Sequence, residues 1–297
     1  MDLAAYLARQ QARVDTALAE YFPAQTAHPH QLFEAIRYSL LGGGKRIRPV
    51  LALSACEAVG GDGDAALPVA CALEMIHSYS LVHDDLPAMD DDALRRGRPT
   101  THIAFGEGMA ILAGDALLTE AFALLTQAAA ASHQPRRVLL AAREIAVAAG
   151  AHGMVGGQAA DLAAEGQAAD LATVEYIHVR KTGALILAAI RAGALVGGAR
   201  ARELKRLTRY GECLGLAFQI ADDILDAIGH TEKTGKVQGR DQDRHKATFP
   251  AVMGLLAAQA RAIELRAQAL DALRDLPETA EPLRALARFV VERAVDT

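Results

Sequence analysis

The chain of 297 residues carries 31 Lys and Arg against 36 Asp and Glu, a formal net charge of −5, with 52% apolar and 23% charged residues. That balance excludes a disordered chain. The mild acidity, with a pI of about 6.1, excludes general binding to nucleic acid or anionic lipid, which needs a basic field, so any anionic ligand requires a local basic site.

Leu3, Leu7, Val14 and Leu18 recur at helical spacing before Pro23, and Leu32, Ile36 and Leu40 do so before the Gly42-Gly43-Gly44 stop. Pro49 suits the first turn of a third helix, which Gly60-Gly61 closes. Further helices are expected over 67–85, 108–131, 136–149, 173–197, 201–228, 250–274 and 280–295, about ten to twelve in all. Alternating apolar and polar residues are nearly missing, which makes the chain all-α. Stretches 110–125 and 183–196 are apolar on almost every face and belong in the middle of a large bundle. No linker or repeat divides the chain, so 1–297 reads as a single domain. No run reaches ~18 uninterrupted apolar residues, since Arg191 interrupts 184–199, and no export signal is visible; no membrane span is expected. Three cysteines without CxxC spacing, Cys56, Cys71 and Cys213, suit a reducing cytoplasm.

The polar chemistry is concentrated at 42–49, 84–101 and 229–250. Asp84, Asp85, Asp90, Asp91 and Asp92 crowd the end of the fourth helix, where Pro87 stops the helix and lets Asp90 fold back toward Asp84. Charges this dense call for a cation. In the second cluster Asp222 and Asp226 share one helix face, with Asp223 about 100° round, among apolar neighbours. Oxygen-only donors favour Mg²⁺, Mn²⁺ or Ca²⁺ over zinc, and sparse carboxylates completed by water and phosphate suit Mg²⁺. A calcium loop fails on spacing, lacking the turn glycine and the twelfth-place Glu. The stretch Gly42-Gly43-Gly44-Lys45-Arg46-Ile47-Arg48-Pro49 joins flexible backbone to three cations but is no Walker A loop, because Arg46 follows Lys45 where Ser or Thr is needed. Arg95-Arg96-Gly97-Arg98 adds guanidinium forks for phosphate, and Lys181-Thr182, Lys236 and Lys246 add donors elsewhere. The layout implies two polyphosphate sites, one held through Mg²⁺ by Asp, the other held directly by Lys, Arg and His77, over a shared apolar cavity.

Lys45-Arg46-Ile47-Arg48-Pro49, the DDxxxxD of Asp84 to Asp90, Arg95-Arg96, Lys181-Thr182, Phe218-Gln219 and the DDxxD of Asp222 to Asp226 together resemble the trans-prenyl diphosphate synthases, specifically those of the bacterial farnesyl diphosphate synthase type. The resemblance implies an isoprenoid-synthase helical bundle around a central apolar cavity, a homodimer, Mg²⁺ as cofactor with Mn²⁺ as a substitute, and dimethylallyl, geranyl and isopentenyl diphosphates as substrates. Carried over, Lys45, Arg48, His77 and Arg96 bind the isopentenyl diphosphate group. Asp84, Asp90 and Asp222 are direct metal ligands, with Asp85, Asp223 and Asp226 as further ligands or as supports behind them. Arg95, Lys181, Thr182, Gln219 and Lys236 contact the allylic diphosphate, and Gln158 and Asp161 resemble a further motif. Tyr79 and Ser80, five and four residues before Asp84, would form the floor that stops chain growth at C15. Products of C10 or C20 are the alternatives, and a non-catalytic heteromer subunit would show the loss of one Asp motif. Glu74 to His77 and Glu175 to His178 form two ExxH patterns, the signature of a ferritin-like di-iron oxidoreductase, which leaves the Asp clusters unexplained.

Overall fold

The computed structural model describes residues 1–24, 28–166, 170–229 and 248–295. Lys236 and Lys246 therefore lie outside the described residues. The chain runs through α1 (Leu3–Tyr21), α2 (His30–Leu40), α3 (Ile47–Ala58) and α4 (Gly63–Asp84), then a two-residue hairpin, β1 (Leu94–Arg95) with β2 (Arg98–Pro99). There follow α5 (Thr101–Phe105), α6 (Glu107–Ala131), α7 (Pro135–Ala149), α8 (Met154–Ala164), α9 (Leu171–His178), a π-helical turn (Val179–Gly183), α10 (Ala184–Val196) and α11 (Ala201–Ile228). The last described elements are α12 (Phe249–Met253), α13 (Leu255–Ala272), a 3₁₀ turn (Glu278–Ala280) and α14 (Glu281–Val295). The fold is the expected all-α bundle.

Local chemistry starts these helices where the sequence offers caps. Asp2, Asp62 and Asp170 each accept a backbone N–H from the first turn of α1, α4 and α9, satisfying a donor that a helix start leaves open. α10 packs on α3, α4, α7 and α11 and forms the centre of the bundle. Its close approach to α3 depends on Gly193, where a Cβ would sit 2.0 Å from the Ala52 carbonyl oxygen. Arg191, the charge in the middle of this apolar helix, donates to both Glu144 oxygens of α7 at 2.9 and 2.8 Å and to Thr208 of α11. One continuous apolar cluster runs from Tyr6 of α1 to Ala294 of α14.

Four departures from the expected elements surround the site. The helix expected over 173–197 is interrupted by the π turn, which inserts a residue without altering the apolar pattern that periodicity reads. α8 was hidden by its glycines. Gly157 is there because the helix rests backbone to backbone on the π turn, with its Cβ position only 2.2 Å from the Lys181 nitrogen. The helix expected over 250–274 breaks at Gly254, whose φ of +85° ends α12. The hairpin is too short to show alternation; Arg96 and Gly97 turn it with φ of +54° and +73°, the handedness that tight hairpins prefer.

Contrary to the expectation from uninterrupted runs, α4, α6 and the stretch 135–164 are each long and apolar enough by composition to cross a bilayer. Alanine-rich helices reach that hydropathy without continuous large apolar residues. In α4 the apolar window is 67% buried inside the bundle.

A Gly193→Ala substitution should force α3 and α10 apart and cost about 1–3 kcal/mol, read as a lower denaturant midpoint. An unchanged midpoint would contradict the tight contact.

Candidate active site

The first aspartate loop begins where α4 ends. Pro87 prevents the helix from continuing, and the backbone reverses through bonds from Leu86 N–H to His83 O at 3.2 Å, Asp90 N–H to Asp84 O at 2.8 Å and Asp92 N–H to Asp85 O at 3.1 Å. Asp90 thus returns beside Asp84, as expected. Burial pushes the Asp84 carboxyl up to about 6, Lys181 opposes this, and the nearby Asp90 charge adds to it. Asp85 points elsewhere: it is 3% exposed, and Arg95 donates to it through Nε at 2.8 and 3.0 Å and Nη2 at 2.6 Å. In this arrangement Asp85 and Arg95 satisfy each other.

Lys181 enters from the π turn. Its Nζ donates to Asp161 Oδ2 at 2.6 Å. Burial works against its charge, but Asp161, Asp84 and Asp90 hold its pKa above the ordinary lysine value. The same turn packs on α11, so it joins the first aspartate loop to the helix carrying the second. Thr182, half-buried, follows on that turn.

On α11 the adjacent aspartates part company. Asp222 is partly exposed and takes a bond from Arg293, whose guanidinium lies 5.0 Å above the Phe218 ring. Asp223 is buried, accepting Gln219 Nε2 at 3.0 Å and the Phe249 N–H at 3.0 Å, with His178 Nε2 at 3.1 Å. His178 in turn stacks on Phe249, with ring centroids 5.3 Å apart. Asp226 is half-buried one turn beyond Asp222.

The basic residues form a third group. Gly43 and Gly44 adopt φ of +87° and +139°, and Arg96 donates to the Gly43 carbonyl across the loop. Lys45 is drawn below its usual pKa by partial burial and Arg293, with Asp222 opposing. Arg48 is likewise lowered by burial, against Glu74 and Asp222, and its Nε has no partner among the described residues. Burial, then Arg48, Arg96, Arg95 and Arg46, push His77 well below its ordinary range, so it is neutral at pH 7. Arg48 and Arg96 therefore lie near His77, and Asp222 stands close enough to Lys45 and Arg48 for its charge to be felt there.

Tyr79 and Ser80 take different directions. Ser80 shares the Asp84 face of α4 and donates to the His77 carbonyl at 2.9 Å. Tyr79 is buried, its ring edge-on to His83 at 5.7 Å, and His83 in turn fits against Gly114 of α6. The two ExxH patterns do not make an iron site: Glu74 is bonded to Arg46 and His178 lies on Asp223. The sequence reading assigned no role to Arg293 or Phe249. Nothing in their spacing marks them, because only the fold brings α14 and α12 to the aspartate helix.

Among the described residues no three acidic, imidazole or thiol groups converge closely enough to enclose a metal ion. The donor set fits Mg²⁺ nonetheless, since that ion is held by one or two carboxylates and completed by water and substrate phosphate. Asp84 and Asp90 crowd together with a raised carboxyl pKa, which is the environment a hard cation relieves.

An all-α bundle with two aspartate stretches and a glycine-rich basic loop around one end of the central helices is the arrangement of an isoprenyl diphosphate synthase. The chain resembles the apo FPP/GFPP synthase of Zymomonas mobilis with a TM-score of 0.88 and 40% identity, covering 98% of this chain and 99% of that one. It resembles the geranylgeranyl pyrophosphate synthetase of Pyrococcus horikoshii with a TM-score of 0.89 and 33% identity, covering 99% and 100%. A farnesyl diphosphate synthase of Geobacillus stearothermophilus is 52% identical over 254 residues, covering 86% of this chain and 85% of its own length. The chloroplastic geranylgeranyl pyrophosphate synthase 12 of Arabidopsis thaliana is 45% identical over 296 residues, covering 98% and 82%. Residues 29–283 match the Polyprenyl synthetase family, and the chain belongs to it as a trans-prenyl diphosphate synthase.

The neighbouring aspartates should separate in a stability assay. Asp223→Ala strands the Phe249 N–H and the Gln219 amide and should cost about 1–3 kcal/mol. Asp222→Ala, whose side chain is 41% exposed, should cost less than about 1 kcal/mol. Equal losses in urea unfolding would refute the division.

Proposed function

We propose that the chain condenses dimethylallyl and then geranyl diphosphate with isopentenyl diphosphate to give the C15 product farnesyl diphosphate. The observation that supports this best is His77, kept neutral by burial and by the nearby charges of Arg48, Arg96 and Arg95, a gathering of cations that a polyanion fits. Lys45, Arg48, His77 and Arg96 hold the isopentenyl diphosphate group. Asp84, Asp90 and Asp222 would hold Mg²⁺, or Mn²⁺ in its place, with Asp85, Asp223 and Asp226 as further ligands or supports, Asp85 through Arg95 and Asp223 through the Phe249 N–H. When bound, the cation offsets charge on the allylic diphosphate and so favours its departure.

The chain's own residues do the rest. Lys181 and Thr182 meet the allylic diphosphate from the π turn, and Lys181, kept charged by its aspartates, stabilises the leaving group as negative charge grows. Gln219 orients Asp223 and lies one turn before it on the same helix. Arg95 holds Asp85 through Nε and Nη2, which orients the aspartate loop, and keeps its Nη1 donors for the diphosphate. Lys236, the remaining donor to that diphosphate, lies outside the described residues. Ionisation of the allylic C–O bond gives a delocalised cation, the isopentenyl double bond attacks it, and the released diphosphate takes the proton, so no side-chain nucleophile is required. Apolar walls along α4 keep water from the cation.

The C15 reading rests on Tyr79 as a bulky floor about one turn from Asp84. A homodimer fits the exposed apolar side chains Ile111 and Leu112 of α6, together with Leu139, Leu140 and Val147 of α7. A cytoplasmic location fits three free, buried cysteines.

Incubation with dimethylallyl and isopentenyl diphosphates should give a C15 product that chelation of Mg²⁺ abolishes. Asp84→Ala or Asp222→Ala should lower kcat by on the order of 10²–10³. Tyr79→Ala should lengthen the product to C20 or beyond. No Mg²⁺-dependent condensation would overturn the reaction; a C10 or C20 product from the unmodified chain, or an unchanged product from Tyr79→Ala, would overturn the floor. Leu112→Glu should convert the dimer to monomer in light scattering, and an unaffected mass would place the interface elsewhere.

A further inference from the structure

The loop that carries Lys45 and Arg48 is held from beneath by a residue between them. Arg46 is 3% exposed and has a left-handed backbone, φ +49°, which turns its side chain inward while Lys45 remains exposed. Its guanidinium reaches three elements at once: Nε donates to Asp15 Oδ1 of α1 at 2.7 Å, Nη1 to Glu74 Oε1 of α4 at 2.6 Å, and Nη2 to the Leu40 carbonyl at the end of α2 at 2.8 Å. Gln11 adds a bond to the Gly44 carbonyl at 2.9 Å. A planar fork with fixed directions can satisfy three such acceptors together, whereas an ammonium on a flexible stem cannot hold them in the same plane. Glu74 has a second effect: its charge is also felt at Arg48 and Arg96, where it opposes the burial that disfavours both cations.

We propose that Arg46, with Glu74 and Asp15, is a positioning residue for the isopentenyl diphosphate group: the buried fork sets the loop so that Lys45 and Arg48 are aimed at the diphosphate before it arrives. The inference rests on the reading of Lys45, Arg48, His77 and Arg96 as the cradle for that group. Arg46 itself cannot touch a ligand, because its side chain is 1% exposed and turned into the protein. The effect is selective for one substrate. Displacing the loop moves Lys45 and Arg48 together, whereas Asp84, Asp90 and Lys181 stand on the end of α4, its following loop and the π turn.

The test compares Arg46→Lys, Glu74→Gln and Asp15→Asn with the unmodified protein. For Arg46→Lys and Glu74→Gln, KM for isopentenyl diphosphate should rise about tenfold or more, with kcat and the KM for geranyl diphosphate within about twofold. Asp15→Asn, which removes the partly exposed arm of the fork, should raise the same KM about threefold and keeps the test alive if the other variants fail to fold. Calorimetric titration of isopentenyl diphosphate without Mg²⁺ should show the same loss of affinity. Equal rises in both KM values, or a lower melting temperature and kcat with isopentenyl binding intact, would reduce Arg46 to a structural residue and overturn the proposal. If the unmodified chain condensed nothing, the reaction reading would fall, while the calorimetric comparison would still decide between tightened and unaltered binding.

Discussion

Crowding like charges around one site is costly, and the fold meets that cost with wholly or partly buried partners placed behind the charges. Arg46 leans on Glu74 and Asp15, Asp85 on Arg95, Lys181 on Asp161, and Asp222 on Arg293. These pairs do not serve mainly to stabilise the fold, since desolvating an ion pair consumes much of its Coulomb gain. On the proposed reading they aim the remaining charges in advance, which would matter because preoriented groups need no reorganisation when charge develops in the reaction. The division is visible at Asp222 and Asp223: adjacent in sequence, one is tied into the protein by three neighbours and the other is left toward the basic loop.

The backbone shows the same economy. Among the described residues, three that are not glycine adopt left-handed φ, namely Arg46, Asp91 and Arg96, and all three fall in the charged loops. The π turn falls there as well, immediately carrying Lys181 and Thr182. Strained or irregular backbone persists only where surrounding bonds over-determine it. At Arg46 those bonds come from three elements, and at Arg96 from the hairpin and the Gly43 carbonyl. The regular helices behind the site supply the rigid frame, with α10 touching four of them.

Helical periodicity, proline and glycine made most of this architecture legible in the sequence. Pro87 predicted the return of Asp90 to Asp84, and the backbone bond between them has that form. The i, i+4 relation of Asp222 and Asp226 likewise predicted that Asp223 would turn aside. What stayed hidden has particular causes. α8 carries glycine where helix propensity would favour other residues, because its contact with the π turn leaves no room for a Cβ. The π turn leaves no compositional mark. The ExxH patterns suggested iron because Glu74 and His178 are spaced like ligands, yet Arg46 and Asp223 claim them through contacts between residues 28 and 45 positions apart. Pattern reading sees spacing within a helix, and these partners lie on other elements, Arg46 on the loop before α3 and Asp223 on α11.

Product length belongs to a different kind of chemistry from everything that identifies the family. The matching relatives include proteins titled as farnesyl and as geranylgeranyl synthases, and both share this chain's bundle or much of its sequence. That is expected, because ionising an allylic diphosphate needs the same charges whatever the length of the hydrocarbon behind it. Length is set by how far the growing chain can descend before it meets bulk, a steric matter decided by a few apolar residues that contribute little to overall identity. In α4 the two candidates sit on different faces: small Ser80 shares the face of Asp84, whereas Tyr79 is turned toward His83, which packs on Gly114 of α6. On the proposed reading, a chain descending along the Ser80 face would meet Tyr79 from the side, and the height of the floor would then depend on how firmly His83 and α6 hold that ring.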